Sequence, residues 1–163
     1  MPGSNAAALL ASSGLPSISF RAFTSSTTDT AIPSFAGADI GTAAGNRYVV
    51  VGVTAMFAGS ATLNSATIGG VVASILIQQA HVAGGHAAII SALVPTGTTG
   101  TIAPVWSNTM LRHGIGVWAC YGLQSPLARD TAVSATDPHN LNIDVINGGI
   151  IIACGFNNNT SNS

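Results

Sequence analysis

The chain has 163 residues, enough for one domain with a hydrophobic core and too few for two large ones. Only 6% of its residues are charged, against about 25% in an ordinary soluble domain. A net charge of −1 without a basic cluster argues against nucleic acid as a partner, because phosphate binding needs grouped Lys and Arg.

Lysine and glutamate, frequent on exposed helix faces, are absent, whereas Thr, Ser, Gly, Val and Ile are abundant. Hydrophobic residues make up 47% of the chain, and the mean hydropathy is +0.50. No run approaches the 18 or so consecutive apolar residues of a membrane helix, so we expect no membrane insertion. The composition favours a β-rich subunit that buries much of its surface against other copies of itself or against partner proteins.

The first 16 residues contain a short apolar run without the positive segment of a secretory signal, and they are predicted to form an N-terminal arm. Residues 17–156 are predicted to form the folded domain, and 157–163 a polar C-terminal tail. Within the domain, strand-like segments alternate with turns rich in Gly, Pro, Asn and Asp. In chain order they are 17–24, 47–57, 66–77, 87–94, 101–106, 114–121, 141–146 and 149–156. This pattern predicts an all-β fold, a single antiparallel β-sandwich of jelly-roll type.

Two turns and one strand stand out. Asn147-Gly148-Gly149 predicts a hairpin, and Pro95-Thr96-Gly97 predicts a turn that closes the strand 87–94. Residues 48–53 are apolar on both faces, which is typical of a central strand with a second layer or a neighbouring subunit over its outer face.

The segment RHGIGVWACYG, residues 112–122, alternates so that Trp118 and Cys120 share one face and His113 lies on the other. These side chains therefore do not converge on one site, and a central strand packed on both sides is predicted.

Cysteines and histidines give little sign of chemistry. Cys120 and Cys154 are expected to be small buried hydrophobes that could pair if their strands were adjacent. His81 and His86 flank a turn and could bind a metal, but no acidic residue near them in sequence would support such a site. We expect these two imidazoles and those of His113 and His139 to lie at the surface or at an interface, with no metal bound.

No catalytic motif of the GxSxG, HExxH, Walker A or GxGxxG type is present, and the aspartates are scattered, mostly in turn-like segments. We therefore expect no catalytic residue and no cofactor, and the protein is not expected to be an enzyme. The enzymatic alternative, a glycan depolymerase, would need two carboxylates about 5 to 9.5 Å apart in a groove.

Four residues are candidates for ligand or interface contacts. Trp106 and Trp118 could stack on a sugar or fill the core. Arg47 and Arg112 each directly precede a strand, where they could bond turn carbonyls or pair with an aspartate across a subunit boundary.

The runs RYVVVGVTA, SATIGGVVAS, ALVPTGTTGTI, RHGIGVWACYGL and GGIIIACGF, spread over residues 17 to 156, resemble small β-rich virion structural proteins of tailed bacteriophages and prophages. The resemblance implies a capsid decoration, head-fibre or tail protein, assembled in the bacterial cytoplasm and located in the virion. Its implied partners are copies of itself and other virion proteins. The alternative is a carbohydrate-binding or host-receptor-binding module on the virion, whose partner would be a host-surface glycan.

Proteins of this type tend to continue past the GGI hairpin with further strand sequence, whereas NNNTSNS follows here. Two expectations are compatible with this departure. Either further C-terminal sequence belongs to the protein, or another subunit completes the sheet edge, which could serve as a docking site by strand addition.

Overall fold

A computed structural model describes residues 15–57, 59–80, 84–123, 125, 127–134 and 140–155. These residues form an all-β fold without a helix, and every strand pair is antiparallel, so the predicted antiparallel β-sandwich is confirmed. The strands are β1 (Ser17–Ser26), β2 (Phe35–Asp39), β3 (Arg47–Met56), β4 (Leu63–Ile68), β5 (Val71–Val72), β6 (Ser74–Ala80), β7 (Gly85–Leu93), β8 (Thr99–Trp106) and β9 (Arg112–Tyr121).

Some predicted features fall outside the described residues: most of the N-terminal arm, the tail 157–163, His81 and His139. Across the part of the chain that the structure describes, no helix is long and apolar enough to cross a membrane.

The strands form a five-stranded sheet in the order β1-β9-β3-β7-β6 and a four-stranded sheet in the order β2-β8-β4-β5. Alternation along each strand sends one set of side chains into the core between the sheets. Val49, Val51 and Val53 of β3 are fully buried there, and Ile68 and Ile102 of the other sheet are fully buried in the same cluster.

Strand β3 lies in the middle of the five-stranded sheet, as its two apolar faces predict. Val50, on the outer face of β3, is only 5% exposed because a second layer of chain covers it. Strand β9 lies between β1 and β3, which agrees with the prediction for RHGIGVWACYG.

The single strand predicted over 66–77 is wrong, because the chain turns within it. Gly69 and Gly70 have φ angles of +58° and +83°, which L side chains rarely adopt, and they reverse the chain between β4 and β5. After Ala73 the chain continues as β6 in the other sheet.

Strand β2 was not predicted, because FAGAD consists mostly of residues with low strand propensity. It forms because Phe35 and Ala38 are buried in the core and β2 pairs with β8. Tertiary packing here outweighs the local preference of the chain.

Both predicted turns are present, but the hairpin predicted at Asn147-Gly148-Gly149 is wrong, because the two strands predicted on either side of it do not form. Gly97 and Gly148 have φ angles of +71° and +77°, and Gly149 N–H donates to the Ile146 carbonyl at 2.9 Å. Residues 141–146 and 149–155 nevertheless form no strand, since this part of the chain lies over the face of the five-stranded sheet, where its backbone cannot join a hydrogen-bonded ladder.

Candidate interaction surface

Arg47 is fully buried at the start of β3, where its guanidinium donates hydrogen bonds to backbone carbonyls of two loops. Nε donates to Val94 O at 2.8 Å and Nη2 to Thr96 O at 2.8 Å, while Nη1 donates to Gly41 O at 2.6 Å and Gly97 O at 2.9 Å. Of the two roles predicted for it, the structure assigns Arg47 the bonding of turn carbonyls. Its side chain is inside the subunit and is not offered to a neighbour.

Trp106 is only 3% exposed and belongs to the core, so its ring face is not accessible to a sugar. Its ring packs edge-on against that of His86, with 6.2 Å between the ring centroids. His86 Nε2 lies 3.1 Å from Gly59 O, and because a carbonyl only accepts, Nε2 is the nitrogen that carries the proton. Trp106 and His86 therefore help to close one end of the core.

His113 lies on the inner face of β9 and, like His86, sits opposite Ala55 in the strand register. Among the residues that the structure describes, neither of its ring nitrogens has a hydrogen-bond partner. Burial lowers the pKa of His113, and the nearby backbone of Met110, Thr30 and Thr28 opposes that shift in part. The expectation of a surface or interface position is wrong for His86 and His113, which are 1% and 3% exposed.

Neither cysteine of the chain is placed for chemistry. Cys120 and Cys154 are both free, and burial raises the pKa of each thiol to about 11, so the reactive thiolate is scarce near neutral pH. No group of three or more His, Cys, Asp or Glu side chains that could hold a metal ion occurs among the described residues.

Arg112 remains at the surface. Its Nη1 donates to the carbonyl of Leu111 at 2.7 Å and lies 3.7 Å from Asp29 Oδ1, and both side chains of this ion pair are more than half exposed. Of the two candidate arginines, it is the one whose side chain a neighbour can reach.

An apolar cleft lies on the outer face of the five-stranded sheet, where the rings of Phe20 and Trp118 pack edge-on at 5.5 Å between centroids. Phe23 also lines the cleft, which has a volume of about 190 Å³. A β-bulge at Arg21 places Phe20 and Phe23 on the same face despite their odd spacing. Phe20 and Phe23 are 57% and 71% exposed, so two aromatic rings stand at the surface.

Glycines form the floor of this cleft. A Cβ at Gly116 would lie 3.0 Å from Cη2 of Trp118, and one at Gly114 would lie 2.8 Å from Oγ1 of Thr54. A Cβ at Gly52 would lie 2.9 Å from Sγ of Cys154. The missing side chains thus make room for the Trp118 ring and for Cys154.

Residues 127–134 and 140–155, termed the cover, lie across the outer face of the same sheet. A cavity of about 220 Å³ between the two layers is lined by Val50 and Ile89 of the sheet and by Ile150 and Ile152 of the cover. Residues 149–155 alternate between exposed and half-buried, which directs every second side chain towards the sheet. The cover shields the apolar strands beneath it.

The cover and β1 carry most of the large hydrophobic side chains that the described residues expose. They are Ile18, Phe20, Phe23, Leu127, Val133, Leu141, Ile143, Val145, Ile146 and Ile151. The outer face of the four-stranded sheet bears mostly small or hydroxyl side chains, among them Ser65, Thr67 and Thr101, with Val72 as an exposed apolar exception. The exposed large hydrophobic side chains of the described residues are therefore concentrated on one side of the sandwich.

Sequence patterns did not identify Phe20, Phe23, Gly52 or the cover. The bulge that brings the two phenylalanines together has no local signature. A signal existed for Gly52, because a glycine within an otherwise apolar strand often marks the close approach of another segment.

Comparisons with protein-family models, with curated proteins and with solved structures find no match to this chain. The resemblance to phage virion proteins therefore stays a prediction.

Proposed function

We propose that this chain is a structural subunit of a tailed-bacteriophage virion, of the decoration or fibre type, that packs against neighbouring subunits on the capsid or tail surface. The observation that carries the proposal is the contrast between the two sides of the sandwich. The side formed by β1 and the cover exposes a concentration of large hydrophobic side chains, whereas the described residues of the four-stranded sheet expose only the two valines of β5, Val71 and Val72. Exposed apolar surface on this scale marks an interaction site.

The strand order supports the same proposal. The order β1-β9-β3-β7 facing β2-β8-β4-β5 supports the predicted jelly-roll type, with β6 as an added edge strand. Jelly rolls occur in viral capsid proteins and in lectins, so this support is an analogy of fold. The phage assignment itself rests on the sequence resemblance.

Sedimentation velocity tests the packing role. We expect the wild-type protein to sediment as an oligomer at about 10 μM, and Phe23→Ser combined with Ile151→Ser to weaken association by about tenfold or more. Val72→Ser is the matched control, because Val72 is 78% exposed on the four-stranded side. A stable wild-type monomer at this concentration would contradict the proposal.

The virion location has a separate test. Antibodies against this chain should label purified particles in electron micrographs, and the labelled structure would distinguish a capsid from a tail position. Particles that carry the gene but lack the protein would count against a virion role.

A glycan-binding role has weaker support. The cleft at Trp118 is lined by Phe20, Phe23, glycines and apolar atoms, and Thr54 supplies the one side-chain hydroxyl among its lining residues. Sugars need several hydrogen-bond partners as well as a stacking surface. The cleft therefore fits an apolar side chain of a neighbouring protein better than a glycan.

A further inference from the structure

The cover has a defined seat on the five-stranded sheet. Cys154 occupies the space left by the missing side chain of Gly52, and its Sγ lies 4.0 Å from the carbonyl oxygen of Val53. Ile150 and Ile152 follow the same alternation and line the cavity above Val50. A Cβ at position 52 would lie 2.9 Å from Sγ of Cys154, so this close seat depends on glycine at that position.

The attachment of the cover differs from that of every strand. Within the described residues, no backbone-to-backbone hydrogen bond joins the cover to a strand. Its ion pair, Arg129 Nη2 to Asp144 Oδ2 at 2.8 Å, is internal, as is the 2.7 Å bond from Asp144 N–H to Asp130 Oδ2. The cover thus behaves as a unit that packs on the sheet through side chains.

Every copy of the chain presents the same seat, so a cover that crosses to a neighbour recovers the contacts it leaves. Ile143, Ile146 and Ile151 of the cover are exposed on a single copy, so burying them between two subunits would contribute about 25 cal/mol per Å² before the cost of association. Because the chain has a net charge of only −1, two copies repel each other weakly.

We propose that, in the assembled protein, the cover crosses to a second copy of this chain and seats Cys154 at Gly52 of the partner subunit. This inference rests on the proposed packing role and specifies how two copies are joined.

Disulfide trapping between two differently tagged chains tests the exchange. One chain carries Gly52→Cys, Cys120→Ala and Cys154→Ala, and the other carries only Cys120→Ala, so that a bond between positions 52 and 154 can form only between chains. A Cβ at position 52 would lie 3.0 Å from that of Cys154, somewhat closer than the roughly 3.5–4.5 Å of a disulfide, so a small shift of the cover would suffice. Burial raises the pKa of Cys154 to about 11, so oxidation is driven with copper phenanthroline.

We expect a mixed disulfide dimer on non-reducing gels. As a control, a single chain with Gly52→Cys and Cys120→Ala reports whether the bond can form at all. Co-sedimenting chains that give no mixed dimer, while this control closes a bond within one chain, would overturn the exchange and leave the packing role intact. Chains that stay monomeric would overturn both.

If Gly52→Cys prevents folding, photo-crosslinking with native Gly52 replaces it. Isotopically heavy chains with benzoylphenylalanine in place of Ile152 are assembled with light chains. Crosslinks from the heavy cover to light β3 or β7 peptides would support exchange, and crosslinks confined to one chain would overturn it. The same label in place of Thr101, on the four-stranded side, is the matched control and should not reach β3 or β7.

Discussion

At the scale of single residues, Arg47 shows how a nearly uncharged chain uses one of its few charges. Its guanidinium joins the loop at Gly41 to the loop at residues 94–97, and the acceptors are carbonyl groups, not a carboxylate. A buried backbone carbonyl without a donor costs about 1–3 kcal/mol, so the arginine satisfies groups that the loops would otherwise leave unpaired. Arg47 is therefore a structural residue.

Replacing Arg47 tests this role. We expect Arg47→Met to lower the free energy of unfolding by about 3–5 kcal/mol, because it removes a buried hydrogen-bonding cation and leaves several carbonyls unpaired. Urea denaturation provides the measurement. Arg112→Met, at an exposed ion pair, is the control and should change stability by less than about 0.5 kcal/mol. Equal effects of the two substitutions would refute this account.

His113 predicts a dependence of stability on pH. Its folded-state pKa lies below the ordinary 6.5 because of burial, so the unfolded chain binds protons more readily. The stabilisation is complete above about pH 6.5 and is lost as the pH falls through the lower folded-state pKa. Urea midpoints measured at about pH 7.5 and pH 5 should therefore differ less in His113→Leu than in the wild type. An unchanged difference would show that His113 is not responsible.

At the scale of elements, both edge strands of the five-stranded sheet contain irregularities. Register shifts occur between Phe20 and Ala22 in β1 and between Ile75 and Ile77 in β6. In β1, the displaced Arg21 reaches across to Asp39, with 2.6 Å between Nη2 and Oδ2. Bulges and charges at an edge discourage further strands from pairing there. The predicted addition of a strand at this edge is therefore less favourable than contact between a neighbouring subunit and the face of the sheet.

The seat of the cover predicts an effect of Gly52→Ala. The new methyl group would lie 2.9 Å from Cys154 Sγ, so the cover must move, and we expect a loss of about 1–3 kcal/mol in stability. Maleimide should label Cys154 faster in a Cys120→Ala background. Gly45→Ala, where no atom lies within 4 Å of the new Cβ, is the neutral control. Cys154→Gly should restore the stability of Gly52→Ala, and failure to do so would place the strain elsewhere.

At the scale of the whole molecule, the low charge and the one-sided apolar surface belong together. Only 6% of the residues are charged, so exposed hydrophobic side chains have few charged neighbours to keep separate subunits apart. The proposed assembly would therefore use the side formed by β1 and the cover.

Salt dependence follows from this distribution. Because apolar burial and not ion pairing drives the proposed association, raising NaCl from about 0.05 M to about 0.5 M should leave the dissociation constant unchanged or lower it. Sedimentation velocity at the two concentrations provides the measurement. Dissociation at high salt would instead indicate that exposed ions such as Arg112 and Asp29 hold the subunits together.

The sequence by itself determined the fold class, the central positions of β3 and β9, and the turns at Gly97 and Gly148. These features depend on local periodicity and on the φ angles that glycine permits, both of which are visible in the order of residues. The tertiary structure decided the rest. Whether 141–146 and 149–155 become strands depends on whether they meet an edge or a face of a sheet, and the common face of Phe20 and Phe23 depends on a bulge in the pairing with β9. Both are relations between distant parts of the chain, which local sequence patterns do not record.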